Sequence, residues 1–301
     1  MEAQTRNGIS SSLVVTPTEI RWPSVLAFLI DRFPHLDPTA LTHKMRSGKI
    51  YYDDGSPVPV DATCIAGQRL WYFREIENET VIPFDFEILH EDEHLLVIDK
   101  PHFLSTTPVG NFLRETVVTR LRKQTGNMEI TPAHRLDRST AGILMLTKHK
   151  AAREKYQSLF ARRDTQKIYH AICHRNALLP EQFDIRLRLQ ENQHNIFVSV
   201  VQGEPNSETS VKLLHSNTQY SLYQLKPVSG RKHQLRVHLA NQGAGIVNDN
   251  WYPIPQPEGP DDFNNPLQLL AVSLAFIDPF SGQRREFQTR RSLSVDRLLA
   301  N

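Results

Sequence analysis

The chain is poor in cysteine and has no long apolar run. Cys64 and Cys173 are the only two cysteines among 301 residues, and their separation fits neither a disulfide framework nor a zinc knuckle. No apolar stretch approaches the length of a membrane span, and the chain is polar through Ser12, without the cationic start and apolar core of a signal peptide. We therefore expect a cytoplasmic protein that is not attached to a membrane.

Several common catalytic patterns are also missing. The chain has no glycine-rich loop of the kind that cradles phosphates and no Gly-x-Ser-x-Gly motif, which argues against a serine hydrolase. His170 and His174 fall in a predicted strand, where their spacing separates them along one face, and no further metal ligand follows at a suitable distance. The sequence therefore predicts no metal and no cofactor.

The composition is that of a soluble globular protein, with 39% hydrophobic and 23% charged residues, and the length allows one large domain and a small one. The net charge of +2 does not by itself indicate a nucleic-acid partner, but the charges are segregated along the chain. The segment Glu75–Asp99 has many acidic residues and no lysine or arginine, which predicts an acidic and a basic surface unless the clusters are only solvated helix faces. The basic residues between Thr131 and His170 are Arg135, Arg138, Lys148, Lys150, Arg153, Lys155, Arg162, Arg163 and Lys167, against the acidic Asp137, Glu154 and Asp164.

One carboxylate lies among basic side chains in the run His134-Arg135-Leu136-Asp137-Arg138-Ser139-Thr140-Ala141-Gly142. Its cationic neighbours stabilise the ionised form of Asp137, and they also attract a second anion such as a phosphate backbone. Asp137 is therefore a candidate nucleophile or base that acts on a polyanionic substrate.

This run resembles the catalytic motif of the RluA family of pseudouridine synthases, which is His-Arg-Leu-Asp, two variable residues, Thr-Ser-Gly and a strand; here Ala141 replaces the serine. Four further segments resemble family motifs in the right order, and together they span residues 84–290. They are the strand pair Ile88–Pro101, which ends in Lys100-Pro101; Lys167-Ile168-Tyr169; Gly230–His238, the Gly-Arg-x-His-Gln-Leu-Arg-x-His signature; and Ile246–Tyr252, with Asn248 in place of a glycine.

The resemblance implies an α+β fold with a bent, mixed, largely antiparallel sheet and a central cleft. It also implies an isomerase that converts uridine in RNA to pseudouridine without a cofactor. The implied catalytic residues are Asp137 as the essential carboxylate, Tyr169 as the partner that stacks on the base and handles a proton, and Arg231 as the ion-pair partner of Asp137. The implied substrate-binding residues are His134, Arg135, Arg138, Thr140, Lys167, His233, Gln234, Arg236, His238 and Leu270.

Some of these residues have plainer interpretations. A predicted helix over Lys232–Gln242 places Gln234 and His238 on one face, which could meet RNA, but His233, Arg236 and His238 could equally be solvated helix residues. Leu270 could line the pocket or belong to an ordinary core strand, since the family's following His-Ala is only partly matched here.

The N-terminal part predicts a separate small domain. Residues 1–20 are interpreted as an irregular arm, residues 21–76 as an S4-like RNA-binding domain of two short helices and small strands, and residues 77–84 as an acidic linker. In that comparison Lys44, Arg46 and Lys49 would contact RNA; alternatively the domain packs without binding RNA. The catalytic domain then occupies residues 85–301.

Within the catalytic domain, strands outnumber helices and follow one another in runs, which favours an α+β fold. The predicted helices are Leu113–Lys123, Ala151–Phe160 and Lys232–Gln242. The predicted strands are Phe86–His90, Leu95–Ile98, Ile143–Thr147, Lys167–Cys173, Ser210–His215, Tyr220–Pro227 and Leu269–Ile277.

The predicted function is thus modification of uridine in structured RNA, with ribosomal RNA favoured over transfer RNA and no obligate protein partner, so that we expect a monomer. A non-catalytic RNA-binding protein with the same fold is the alternative, which an intact set of Asp137, Tyr169 and Arg231 argues against. A glycoside hydrolase usually needs a second carboxylate, and none lies near Asp137 or Arg231 in the sequence.

Overall fold

The computed structural model describes residues 4–192, 196–257 and 259–294, and these form two compact units. The first unit comprises the described residues up to Glu79 together with Val109–Arg114 and Thr119–Met128. The second comprises Thr80–Pro108, Glu115–Val118 and the described residues from Glu129 onward. The assignment of 21–76 to an S4-like domain, 77–84 to a linker and 85–301 to the catalytic domain stays a prediction.

The first unit is a small α+β structure with its own apolar core. The side chains of Ser24 and Asp37 each accept a hydrogen bond from a backbone N–H in the first turn of the helix that follows, and so fix the starts of two short helices. The core includes Phe28, Leu29 and Leu70. The elements are β1 (Thr5–Arg6), β2 (Ile9–Ser10), β3 (Ser12–Val15), α1 (Val25–Arg32), α2 (Pro38–Arg46), β4 (Ile50–Tyr51) and β5 (Arg69–Tyr72).

The prediction of an irregular arm over residues 1–20 is wrong for its described part. β1 and β2 form a hairpin, and β3 pairs with β5 in an antiparallel sheet of order β3-β5-β4. These strands have only two to four residues, and the partner of β3 is distant in the sequence, so local periodicity gives little sign of them.

The second unit is organised on one eleven-stranded mixed sheet, which confirms the predicted α+β class. The main path runs β12-β11-β13-β14-β10-β15-β9-β7-β6, with β16 on β15 and β8 on β9. The strands are β6 (Glu87–Glu91), β7 (Leu95–Lys100), β8 (Thr131–Pro132), β9 (Ala141–Thr147), β10 (Thr165–His174), β11 (Gln182–Glu191), β12 (Val198–Val201), β13 (Ser207–Ser216), β14 (Tyr220–Pro227), β15 (Leu269–Ile277) and β16 (Arg284–Gln288). The helices of this unit are α4 (Lys150–Ala161) and α5 (Gln234–Asn241), whereas most of α3 (Val117–Thr125) belongs to the first unit.

Two apolar clusters fix the helices of this unit to the sheet. Tyr156 of α4 is fully buried in a cluster with Met145 of β9, and Leu235 and Leu239 of α5 pack in another with Tyr223 of β14. Among the described residues, no helix has the length and apolar character needed to cross a membrane.

The parallel contact between β9 and β15 sets the geometry of the sheet centre. It pairs Ala141 with Leu270 and Gly142 with Ala271, whereas the other strand pairs in the described part of this sheet are antiparallel. Gly142 has φ +110°, and a Cβ at this position would lie 2.2 Å from the carbonyl oxygen of Ala271. Only glycine fits so close an approach, so the Ala141-Gly142 step fixes the end of the loop that carries Asp137.

Candidate active site

Asp137, Tyr169 and Arg231 come from separate parts of the chain and line one pocket. The pocket holds about 500 Å³ of empty space, open solvent included. Among the described residues that line the pocket, Asp137 is the only acidic one, and four are arginine or lysine. The lining consists of Arg135, Leu136, Asp137, Thr140, Lys167, Tyr169, Pro227, Ser229, Gly230, Arg231, His233, Gln234, Leu235, Arg236 and Leu269.

The loop of Asp137 joins β8 to β9 and is held by side chains from the segment after β7. The Thr106 hydroxyl donates to the carbonyl of Leu136 at 2.8 Å and accepts from its N–H at 3.4 Å. The ring of His102 lies 2.6 Å from the carbonyl of Ser139, and the N–H of Thr140 donates to the carbonyl of Asp137 at 3.1 Å. These bonds fix the backbone on both sides of the carboxylate.

Lys100, the lysine of the Lys-Pro pair, is fully buried beneath this loop. Its Nζ donates to the carbonyls of Pro101 and Leu104 at 2.9 Å and of Arg138 at 3.3 Å. Burial lowers the pKa of Lys100 to about 7, and the charge of Asp137 opposes that shift. Three accepting carbonyls match the three N–H donors of an ammonium group, so the geometry suits a protonated Lys100 that supports the negative charge of Asp137.

The expected ion pair between Arg231 and Asp137 is wrong, because the guanidinium paired with the carboxylate is that of Arg236. Its Nη1 lies 3.7 Å from Oδ2 of Asp137 and 3.5 Å from Oγ of Ser139. The physical reason is the turn before α5: His233 has φ +53°, so the helix starts at Gln234 and directs Arg236 inward. Arg231 lies outside the helix, where its exposed side chain lines the pocket and its Nε donates to the carbonyl of Asn206 at 3.4 Å.

Arg236 is itself held rigidly. Its Nε and Nη2 form a bidentate pair with Asp249 at 2.8 and 2.6 Å, and its guanidinium lies over the rings of Trp251 and Tyr252 at 4.7 and 5.3 Å. Burial works to lower the pKa of Arg236, but hydrogen bonds and charge from Asp249 raise it overall, with a further contribution from Asp137. Arg236 therefore presents a permanent positive charge to Asp137.

A hydrogen bond between His233 and Tyr252 also stabilises the pocket wall beside Arg236. Nδ1 of His233 lies 2.9 Å from the Tyr252 hydroxyl, which accepts from the N–H of Val198 at 2.8 Å. The hydroxyl can therefore donate to Nδ1 of a neutral imidazole. Burial lowers the pKa of His233 to about 4, which agrees with a neutral ring.

Tyr169 lies at the centre of the sheet, where β10 pairs with β14 on one side and β15 on the other. The β10–β15 register shifts between Ile168 and Tyr169, a bulge that re-aims the side chains at this point. The Tyr169 side chain is half-buried, and both burial and the charge of Asp137 raise the pKa of its hydroxyl. The phenol therefore stays protonated at neutral pH within the electrostatic reach of the carboxylate.

Lys167 lies two residues before Tyr169 and lines the same pocket. Its Nζ donates to the carbonyl of Ser229 at 3.2 Å. Burial, and after it the charge of Arg163, lower the pKa of Lys167 to about 8. A lysine in the pocket wall beside the lining residues Arg135, Arg231 and Arg236 favours a polyanionic ligand.

Four predicted binding residues, His134, Arg138, His238 and Leu270, are not among those that line the pocket. His134 stacks on Phe160 and accepts from the N–H of Met145, and burial lowers its pKa to about 3. Arg138 pairs with Asp261. Leu270 packs in a core cluster while the preceding Leu269 lines the pocket.

The predicted RNA-facing pair Gln234 and His238 is also wrong. His238 is fully buried with its ring bonded to Ser207, and burial lowers its pKa to about 4. The Gln234 amide accepts from the hydroxyl of Ser229 and the N–H of Arg231 and donates to Glu208 and Thr209, so its polar atoms are used inside the protein. The interpretation of His233, Arg236 and His238 as solvated helix residues is wrong as well, since all three are buried.

Sequence reasoning missed several residues that shape the site. Arg236 is held by Asp249, Trp251 and Tyr252. None of the three was predicted as a site residue, although they lie in the segment Ile246–Tyr252 that resembles a family motif. The carboxylate of Asp249 in this segment is the local sequence feature that indicates a partner for a buried arginine. Asp261 offers no comparable signal, because it lies in a proline-rich segment outside the motifs.

Comparison with known proteins finds relatives of one kind. A family model described as RNA pseudouridylate synthase matches residues 94–241. The ribosomal large subunit pseudouridine synthase C of Vibrio cholerae is 34% identical over 227 residues, which cover 70% of this chain and 68% of that protein. The dual-specificity RNA pseudouridine synthase RluA of Pasteurella multocida is 31% identical over 206 residues, covering 67% and 91% respectively. The solved structure of human RNA Pseudouridylate Synthase Domain Containing 1 is similar with a TM-score of 0.54 at 25% identity, covering 69% of this chain and 84% of that one.

Proposed function

This chain belongs to the RluA family of RNA pseudouridine synthases, and we propose that it isomerises specific uridines in structured RNA with Asp137 as the essential carboxylate. One observation carries the proposal. Asp137 is paired with Arg236 in a pocket that also holds Tyr169 and three further cationic side chains. A carboxylate placed among cations is suited to act on a nucleotide whose phosphates those cations attract.

The reaction sets what such a pocket must supply. The bond from N1 of the uracil to C1′ of the sugar breaks, the base turns over, and a bond forms from C5 to C1′ while the proton on C5 is lost and N1 gains one. The atoms of the nucleotide balance without a redox partner. Attack of a carboxylate on C1′ and removal of a sugar proton by a carboxylate both require an ionised oxygen beside the glycosidic bond, which is the role we assign to Asp137.

Tyr169 is proposed to contact the detached base. Its flat ring offers a stacking surface for a nucleotide that has been turned out of the RNA, as a base must be if its glycosidic bond is to be reached. Because its hydroxyl holds its proton at neutral pH, Tyr169 would act as a relay that gives up one proton when it receives another from C5.

The exposed cations at the pocket mouth are proposed to hold the RNA backbone. Arg135 and Arg231 are exposed lining residues, and Lys167 lies deeper in the wall. Arg236 supports Asp137 and does not reach for phosphate, since Asp249 already occupies its fork.

Ribosomal RNA is our first choice of substrate, with transfer RNA second. One relative reported above is named for the large ribosomal subunit, which supports ribosomal RNA, and another is named for dual specificity, which is consistent with a second target. We also propose that the protein works in the cytoplasm and as a monomer.

Chemical mapping of pseudouridine in cells with and without this gene tests the function. We expect one or a few uridines in ribosomal RNA to lose the modification when the gene is deleted and to regain it when the wild-type chain is restored. Restoring the Asp137→Asn variant is the matched control. Identical maps in ribosomal and transfer RNA with and without the gene would contradict the proposal.

A further inference from the structure

Arg138, the residue after Asp137, is held by a loop that lies outside the segments that resemble the family's motifs. Nη1 of Arg138 lies 2.9 Å from Oδ1 of Asp261, and Nη2 of Arg138 contacts Oδ2 of Asp261 in the same fork. The two side chains are only 26% and 19% exposed. Asp261 belongs to the proline-rich segment between Tyr252 and β15, so this segment grips the Asp137 loop by a bidentate ion pair.

An aromatic cluster also joins the proline-rich segment to the surroundings of Arg138. Phe263, two residues after Asp261, packs edge-on against Phe103 at 5.1 Å and against Phe84 at 5.6 Å between ring centroids. The guanidinium of Arg138 in turn lies 5.9 Å from the centre of the Phe103 ring. Arg138 is therefore fixed between an apolar surface and a carboxylate.

We propose that Asp261 is a positioning residue that acts on Asp137 through Arg138. The inference rests on the proposed role of Asp137. The carboxylate of Asp137 is 3.7 Å from its guanidinium partner, so its direction depends on the backbone that carries it. That backbone is a loop in which Lys100 binds the carbonyl of Arg138 and Asp261 holds the side chain of the same residue.

The burial of the pair favours a permanent clamp over a contact that RNA displaces. A phosphate could reach the Arg138 fork only by expelling Asp261 from a largely buried position. Removing one partner from a buried, hydrogen-bonded ion pair leaves an uncompensated charge, which is costly. The pair should therefore persist when RNA is bound, and its effect should appear in the rate of reaction rather than in RNA affinity.

The test uses the full chain with an RNA substrate and compares Asp261→Asn, Arg138→Lys and the double variant. Asp261→Asn is expected to lower the single-turnover rate about 10- to 100-fold, as a small misplacement of a catalytic group does, while the Kd for RNA stays within about twofold. Arg138→Lys should act similarly because an ammonium cannot form the bidentate contact. The double variant should be no slower than the slower single variant, since both remove one interaction.

The neighbouring Asp262→Asn is the matched control, because it removes the same charge from the same loop at an exposed residue whose bonds are to Asn264 and Asn265. A normal rate in Asp261→Asn, a loss confined to RNA affinity, or an equal loss in Asp262→Asn would overturn the inference. If Asp261→Asn unfolds at the assay temperature, the single-turnover rate of Arg138→Lys is used in its place, and a normal rate in that variant would overturn the inference. An active Asp137→Asn variant would sink the proposed function as well, whereas an inactive one beside an unaffected Asp261→Asn overturns only this inference.

Discussion

Lys167 shows how burial turns a surface cation into a group with a useful pH range. Its side chain is half-buried beside Tyr169, and burial and Arg163 together lower its pKa to about 8, well below that of an exposed lysine. At neutral pH it is still protonated and able to hold a phosphate. Above its pKa the free protein loses this charge while the exposed arginines of the pocket keep theirs.

We predict that RNA affinity falls as the pH rises through about 8. The lowered pKa means that the proton leaves Lys167 between pH 7 and pH 9, and a lost charged hydrogen bond weakens binding by about tenfold. The Kd is measured by fluorescence anisotropy at constant ionic strength. In the Lys167→Arg control, which stays charged, affinity should not change over this range; the same pH dependence in that variant would contradict the prediction.

At the scale of elements, the junction of β9 and β15 is the most constrained point of the site. The strands approach so closely at Gly142 that its backbone takes a positive φ and leaves no space for a side chain. The Asp137 loop ends at this junction, and Leu269 and Tyr169 lie on the strands beside it.

We predict that Gly142→Ala destabilises the protein by roughly 2–4 kcal/mol, the sum of overpacking and of a strained φ for a residue with a Cβ. The added Cβ would lie 2.2 Å from a backbone oxygen, which no rotamer change relieves. Urea denaturation of both variants measures the effect. Gly259→Ala is the control, since a Cβ there meets nothing within 4 Å, and equal stability of the two variants would contradict the account.

Elements with a local signal were predictable from the sequence, and contacts set by a turn were not. Strands β14 and β15 begin and end where the sequence predicts, and Asp137 and Tyr169 meet as the motifs imply. The identity of the arginine that pairs with Asp137 depends on the left-handed residue His233, which no local pattern encodes.

Strand β11 was not predicted, although its sequence carries a local strand pattern. Its apolar residues alternate with polar ones, which is a local strand signal. These apolar residues are Phe183, Ile185, Leu187 and Leu189. The clamp of Asp261 on Arg138, in contrast, joins residues far apart in the chain and could only be found from the structure.

At the scale of the whole molecule, the ion pairs of the first unit bear on its predicted role in RNA binding. Lys44 and Lys49, predicted to contact RNA, both pair with Glu75, at 3.0 and 2.7 Å. Hydrogen bonds from Lys49 and Lys44 lower the pKa of Glu75, so its charge is present at neutral pH. The two lysines are therefore partly neutralised within their own unit.

Two variants with opposite expected effects test this role. If the unit binds RNA through these residues, Lys44→Ala/Arg46→Ala/Lys49→Ala should weaken binding and lower the slope of log K against log salt by about 2, since each lost phosphate contact removes roughly 0.7. Glu75→Gln should strengthen binding because it frees both lysines. Unchanged affinity in both variants would show that the unit packs without binding RNA.

The most direct test of the central claim is the release of tritium from RNA that carries 5-³H-uridine, because forming the C5–C1′ bond expels the hydrogen on C5. When the enzyme is in excess over the target RNA, the wild-type chain and the control Asp164→Asn should release tritium at similar rates. Asp137→Asn should be slower by at least about 10³-fold, while it binds the RNA with a Kd within about threefold of wild type. An Asp137→Asn variant that releases tritium at more than about a tenth of the wild-type rate would contradict the account.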